Sequence, residues 1–297
     1  MRYRKIAIIF STVLILLSLS SLSLKGLNLG LDFSGGSNIE LLFDDAVKLP
    51  PIRELLAKEK SSVIYFGSDK EILIRSQKKY DAQQIQELLI ILQQKLKVDV
   101  QLKSSAYIGP QVGDELRDQG GLGLLIALFA IMFYIAIRFQ FKFSIGAVIA
   151  LIHDVVIVIG VFSLLSWEFN LIILAAILAV IGYSLNDTIV VSDRIRENFR
   201  ELRNQSADKV IDISLNQTLG RTIVTSFTTL LVLIPLWILG SNEMQGFAQA
   251  LIIGIFIGTY SSIYVVANML LSLNISSEDL IVPEKEHEIE EIYTEVD

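Results

Sequence analysis

Two carboxylates sit inside otherwise apolar stretches of this 297-residue chain: Asp154 in Leu151-Ile-His-Asp-Val-Val, and Asp187 in Ile181-Gly-Tyr-Ser-Leu-Asn-Asp-Thr-Ile-Val-Val. An acidic side chain at membrane depth costs roughly 3 kcal/mol on insertion scales, so it is seldom placed there without a polar partner or an ion to carry. Proton or cation coupling is the chemistry to expect. Asp154 lies well inside its stretch and hence near the midplane, either as a structural hydrogen bond between helices or as a proton carrier. His153 adjoins it, but successive helix residues point about 100° apart. Adjacency therefore does not make the two a pair.

Hydrophobic residues make up 52% of the chain and charged ones only 19%, too apolar a mixture for an ordinary soluble domain. There is no Cys, which excludes disulfides and thiolate metal sites, and two His residues, His153 and His287, cannot build a metal cage alone. The net charge of −7 is concentrated in residues 274–297, whose nine acidic side chains face one Lys. That composition predicts a solvated, disordered cytoplasmic tail.

Apolar runs near 6–24, 121–138, 143–166, 169–191, 222–240 and 247–273 are long enough to span a bilayer. Six spans place both termini on one side. Arg2, Arg4, Lys5, Arg138, Lys142, Arg194, Arg196, Arg200, Arg203, Lys209 and Arg221 flank the spans on that side, while the loops around Glu168 and 240–245 contain no Lys or Arg. Positive residues near span ends stay in the cytoplasm, so both termini are expected there and residues 26–120 outside. The domains expected are 1–25, the amino terminus and first span; 26–120, an external domain; 121–273, spans two to six with a cytoplasmic loop at 192–221; and the tail at 274–297. Within 26–120 the pattern reads as strand 38–43, helix 51–58, strands 62–66 and 71–75, helix 81–96 and strand 98–102. This β-α-β-β-α-β order is the ferredoxin-like arrangement. The domain has no nucleophile–base pair or metal-ligand cluster, and its exposed strand edges suit either an extended polypeptide or a docking role.

Gly30-Leu31-Asp32-Phe33-Ser34-Gly35-Gly36 follows the first span, Ile108-Gly109-Pro110-Gln111-Val112-Gly113 precedes the second, and Gly182-Tyr183-Ser184-Leu185-Asn186-Asp187-Thr188-Ile189-Val190-Val191-Ser192-Asp193-Arg194 runs through the fourth. The first two are rich in Gly and Pro and read as rigid turns, local or hinge-like, that orient the external domain. Ala250, Gly254, Gly258 and Ser262 recur every four residues on the sixth span, a stripe for close helix packing within the bundle or against a partner.

With Ile152-His153-Asp154, these motifs closely resemble the SecF family, whose members are subunits of the SecDF complex of bacterial protein export and are similar to the resistance-nodulation-division transporters. The resemblance covers about residues 5–273. It implies a non-enzymatic translocation subunit of the inner membrane, with SecD supplying the other six-helix half. It also implies conversion of the proton-motive force into movement that promotes release of unfolded polypeptide from the SecYEG channel. Protons are the coupling ion; no cofactor, metal or nucleic acid is implied. The family's proton-pathway residues in this half fall on Asp187 and on Arg221 of Gly220-Arg221-Thr222. From position alone, Arg221 reads equally as a side chain snorkelling to the surface.

Three rivals are weaker. A complete exporter of the same superfamily needs a second half, leaving a half-unit of a proton-driven solute or drug exporter as the alternative. An intramembrane aspartyl protease lacks its Gly-x-Gly-Asp context here. A passive scaffold leaves the buried acids unexplained.

Overall fold

The computed structural model describes residues 4–57, 61–138, 140–276 and 279. Helix α1 (Arg4–Lys25) leads through β1 (Asn28–Leu29) and the helical turn α2 (Leu31–Ser34) into β2 (Gly36–Phe43), α3 (Leu49–Leu56), β3 (Ser61–Phe66), β4 (Ser68–Ser76), α4 (Ala82–Leu96) and β5 (Val100–Ile108). The chain then enters α5 (Pro110–Arg138) and α6 (Phe141–Leu164), makes the short strand β6 (Glu168–Phe169), and finishes with α7 (Leu171–Glu201), α8 (Ala207–Leu239) and α9 (Asn242–Ser272). Helices α1 and α5 to α9 are each long and apolar enough to cross a membrane.

Antiparallel pairing gives the sheet order β3-β4-β2-β5, the ferredoxin-like order expected from the element sequence. Ile39, Leu41, Phe43, Ile72 and Ile74 alternate onto one face and bury against Ile52 of α3 and Leu92 of α4. Asp81 caps α4, accepting from Gln84 N at 2.8 Å while the Gln84 side chain returns a bond to Asp81 N. The last strand was expected over 98–102 and runs instead to Ile108. Its second half is exposed edge strand without apolar alternation, so periodicity cannot reveal it.

Two spans also exceed their expected bounds. Pro110 starts α5 at the first helical position, carrying the polar segment before residue 121 into the helix. The stretch 192–221, expected as a loop, is helical except for residues 202–206. Val191, Ile195 and Phe199 on α7 meet Val210, Ile211 and Leu215 on α8, all buried, and Asn198 Nδ2 donates to Ser214 Oγ at 2.8 Å and Gln217 Oε1 at 2.7 Å. The apolar stripe continues beneath the basic residues. The predicted tail 274–297, apart from residues 274–276 and 279, lies outside the described residues.

Helices α6, α7 and α9 form the centre of the bundle, with α1 against α6 and α9, and α8 against α7 and α9. Gly254 and Gly258 pack closely on α7: a Cβ on Gly254 would fall within 2.6 Å of Val180 Cγ1, and one on Gly258 within 3.0 Å of Ser184 Cβ. The stripe serves the α7–α9 contact inside this chain. In contrast, α5 buries only Gly113 and Ile135, and α8 exposes Ile223, Val224, Phe227, Leu231 and Val232 along one side.

Candidate functional site

Both glycine motifs meet where the α+β domain joins the bundle. Gly35 (φ +69°) and Gly36 (φ +134°) adopt backbone conformations that a side chain resists, and neither has room for one. A Cβ on Gly35 would lie 2.9 Å from Pro110 Cα, and one on Gly113 would lie 2.9 Å from Gly35 N. Gly109 is the lone residue between β5 and α5, and nothing crowds it. Gly30 is pressed against Glu168, consistent with the parallel pairing of β1 with β6. Asp32 Oδ2 accepts from Leu171 N at 3.1 Å, so the first motif caps the helix that carries Asp187. Arg75 on β4 adds a forked bond to both Glu168 carboxylate oxygens at 2.6 Å and reaches Glu243 at 3.5 Å. Asn242 Nδ2 donates to Tyr65 O at 2.6 Å. Neither Arg75 nor its acidic partners stood out in the sequence, because partners 93 and 168 residues apart have no periodic signature.

Inside the bundle the polar groups gather around two carboxylates. Asp154 is 1% exposed and joins three helices: Oδ2 accepts from Ser184 Oγ of α7 at 2.5 Å and from Ser261 Oγ of α9 at 2.8 Å, while Oδ1 meets His153 Nδ1 at 2.9 Å. The expectation that His153 and Asp154 point apart is therefore corrected. Nδ1 lies close to the His backbone and the Asp side chain is short, so adjacent residues meet across the 100° step. Ser184 was legible only within its motif, and Ser261 only as the neighbour of the small-residue stripe.

The second set surrounds Asp187, 4% exposed, whose Oδ2 is buried without a hydrogen-bond partner among the described residues. Thr222 Oγ1 on α8 is buried and unpartnered as well. Asp187 lies 14 residues before Glu201 and Arg221 lies 14 residues after Ala207, so the two sit at equal distance from the α7–α8 turn. Arg221 forms no direct ion pair with Asp187; the Arg is exposed beside Ile223 and Val224 on the open side of α8. Beyond Asp187, Thr188 bonds Ser262 at 3.0 Å and Ser226 bonds Thr259 at 2.7 Å, tying α7 and α8 to α9. Thr225, Thr228 and Thr229 bond carbonyls of their own helix.

Fold and site together define a multi-pass membrane protein with a ferredoxin-like domain clamped to one face and two buried carboxylates at helix contacts. Residues 90–276 match the family described as protein export membrane protein SecD/SecF, C-terminal, and residues 20–47 match the SecD/SecF GG motif. The chain is 44% identical to protein translocase subunit SecF of Vibrio alginolyticus, across 97% of this chain and 93% of that one. Identity to the Pseudomonas aeruginosa subunit is also 44%, across 98% and 96%, and to that of Escherichia coli O157:H7 37%, across 97% and 91%. Among solved structures it is similar to SecDF, a translocon-associated membrane protein from Thermus thermophilus, with TM-score 0.81 and 35% identity over 92% of this chain. The chain spans 38% of the length of that SecDF. It belongs to the SecF family of protein translocase subunits.

Proposed function

We propose that this chain pairs with a SecD subunit in the bacterial cytoplasmic membrane and uses the proton-motive force to promote release of polypeptides emerging from SecYEG on the outer side. The observation that carries this reading is Asp187, a buried carboxylate with an unpartnered oxygen, level with an Arg that it does not touch. Its balance between charged and neutral forms depends on where that Arg sits and on local water. A small shift of α7 against α8 is then coupled to proton uptake or loss, and each charge moved through 100 mV supplies about 2.3 kcal/mol. Asp154, with three hydrogen-bond partners, is the companion site that registers the change at the α6, α7 and α9 contact.

The external domain is placed to follow α7, because Asp32 caps that helix and Arg75 holds Glu168 just before it. Basic residues support an orientation with both termini in the cytoplasm: Arg4 bonds Ser272 and Lys142 bonds Asn274 O, so these charges lie at the face where the chain begins and α9 ends. The exposed apolar side of α8 beside Arg221 suits the second six-helix half. A solute-exporter half-unit is less well supported, since the relatives are translocase subunits along nearly their whole length. The test is reconstitution with SecD and SecYEG in vesicles. Asp187→Asn should assemble normally and lose the gradient-dependent part of polypeptide release; wild-type gradient dependence in an assembled Asp187→Asn complex would overturn the assignment.

A further inference from the structure

His153 is buried, 3% exposed, on a helix where most neighbours are aliphatic. Its Nδ1 is engaged by Asp154, but its Nε2 is buried with no partner among the described residues. The side chain lines a groove of about 370 Å³ between α1, α6 and α9, with Thr12, Val156, Val265 and Asn268 among its walls. Asn268 Oδ1 is a second buried, unpartnered polar atom on the same groove. Asn268 is four residues from the end of α9, whereas His153 is midway along α6. The groove thus leads from the terminal face toward the bundle centre and offers polar groups at both ends. Most of the lining is aliphatic, so water in it is confined to the polar track of Ser11, Thr12, His153 and Asn268.

We infer that His153 and Asp154 form a second proton-exchange pair, loaded by water along the polar track of this groove. The inference rests on the reading that the chain couples protons. A proton arriving at His153 Nε2 makes an imidazolium; its Nδ1 proton passes to Asp154 Oδ1, leaving a neutral imidazole protonated at Nε2 and a neutral carboxyl. The bonds that change lie within hydrogen-bond distance. Ser261 Oγ has two acceptors, Asp154 Oδ2 at 2.8 Å and Gly258 O at 3.1 Å, so a carboxyl that no longer attracts it releases it to its own helix. Gly258 is packed on Ser184, and Ser184 stands three residues from Asp187 on the same face of α7. The state of the pair is thereby presented to the first site.

The groups around His153 leave the pair dependent on the groove. Tyr260 of α9 stacks on its ring at 6.2 Å with Tyr264 beyond at 5.3 Å, α7 contributes Asp187 further along, and the part of α1 lining the groove has no titratable residue.

The experiment uses the full chain assembled with SecD in vesicles. With only this chain ¹⁵N-labelled and in a His287→Gln background, imidazole spectra report His153 alone and should show its Nδ1-protonated form giving way to the Nε2-protonated tautomer or the imidazolium between pH 9 and 5. A single neutral tautomer throughout would overturn the inference. Thr12→Cys should react with a small charged thiosulfonate applied from the terminal face. Reaction only with an apolar, membrane-partitioning maleimide would mean a lipid-filled groove and would also overturn it. His153→Asn retains an N–H near Nδ1 but cannot relay a proton, so it should assemble normally and reduce gradient-dependent release at least tenfold, whereas wild-type release would refute the relay. Asp187→Asn in the same assay separates the two readings: if it abolishes gradient dependence while His153→Asn does not, only the second pair fails. If neither it nor the wild type responds to the gradient, proton coupling itself fails, and the spectra still decide whether His153 exchanges.

Discussion

Gly254→Ala adds one methyl group to the close contact between α9 and α7. Ala in place of Gly favours a helix interior by about 1 kcal/mol, so the substitution would stabilise an isolated α9. Here the new Cβ would lie 2.6 Å from Val180 Cγ1 and closer still to Cγ2. Carbon atoms rest about 3.5 Å apart or more, so the helices must separate by about 1 Å or Val180 must leave its place. Val180 is 1% exposed, and the adjoining Ala250 and Ser262 are fully buried, so the contact has little room to yield. Overpacking of this kind costs about 1–3 kcal/mol, and after the helix-propensity gain a net destabilisation of up to about 2 kcal/mol is expected. Gly121→Ala on α5, where nothing lies within 4 Å of the new Cβ, provides the opposite case and should gain up to about 1 kcal/mol. Unfolding in detergent micelles with increasing dodecyl sulfate, followed by circular dichroism, would measure both. If Gly254→Ala is as stable as Gly121→Ala, the assigned α7–α9 register is wrong.

Arg75→Ala should loosen the domain from the helices by about 1–3 kcal/mol, because Arg75 is largely buried against Glu168; hydrogen exchange should rise around 168–171 and 242–243 while the domain core stays protected. Asp32→Ala removes the side-chain acceptor at Leu171 N and should lower thermal stability by about 0.5–2 kcal/mol, with Asp32→Asn retaining part of it. Single cysteines at Lys70 and Ser241 should label from outside intact cells and one at Gln205 should not; the reverse pattern would invert the proposed orientation. Arg221→Ala should resemble Asp187→Asn in vesicle release, and Arg221→Lys should restore part of the response only if charge at that depth is what matters.

The six spans and the sheet order were legible because apolar run length and period-two alternation each leave a strong local signal. Asp154 and Asp187 stood out for the same reason, as charges interrupting those runs. What escaped has no local signal. The forked Arg75–Glu168 bond depends on how the domain sits on the bundle, and the His153–Asp154 contact depends on side-chain geometry finer than a helical wheel. The α7–α8 extension was hidden by its basic residues, although Val191, Ile195 and Phe199 repeat every four positions beneath them. The span boundaries failed where polar sequence stayed helical.

Gly109 alone separates the last strand of the sheet from α5, and Gly35 and Gly113 hold that junction tightly. There is no slack to absorb rotation, so sheet and span behave as one rod pivoting at the junction. Its lower part is weakly held, with Ile135 the one fully enclosed side chain below Gly113. At 1.5 Å per residue the 29-residue helix is about 43 Å long, and a rocking of about 10° would sweep its far end through about 7 Å. A spectroscopic label near Ile137 is thus a pointer for the domain, reporting on one side of the membrane a movement made on the other.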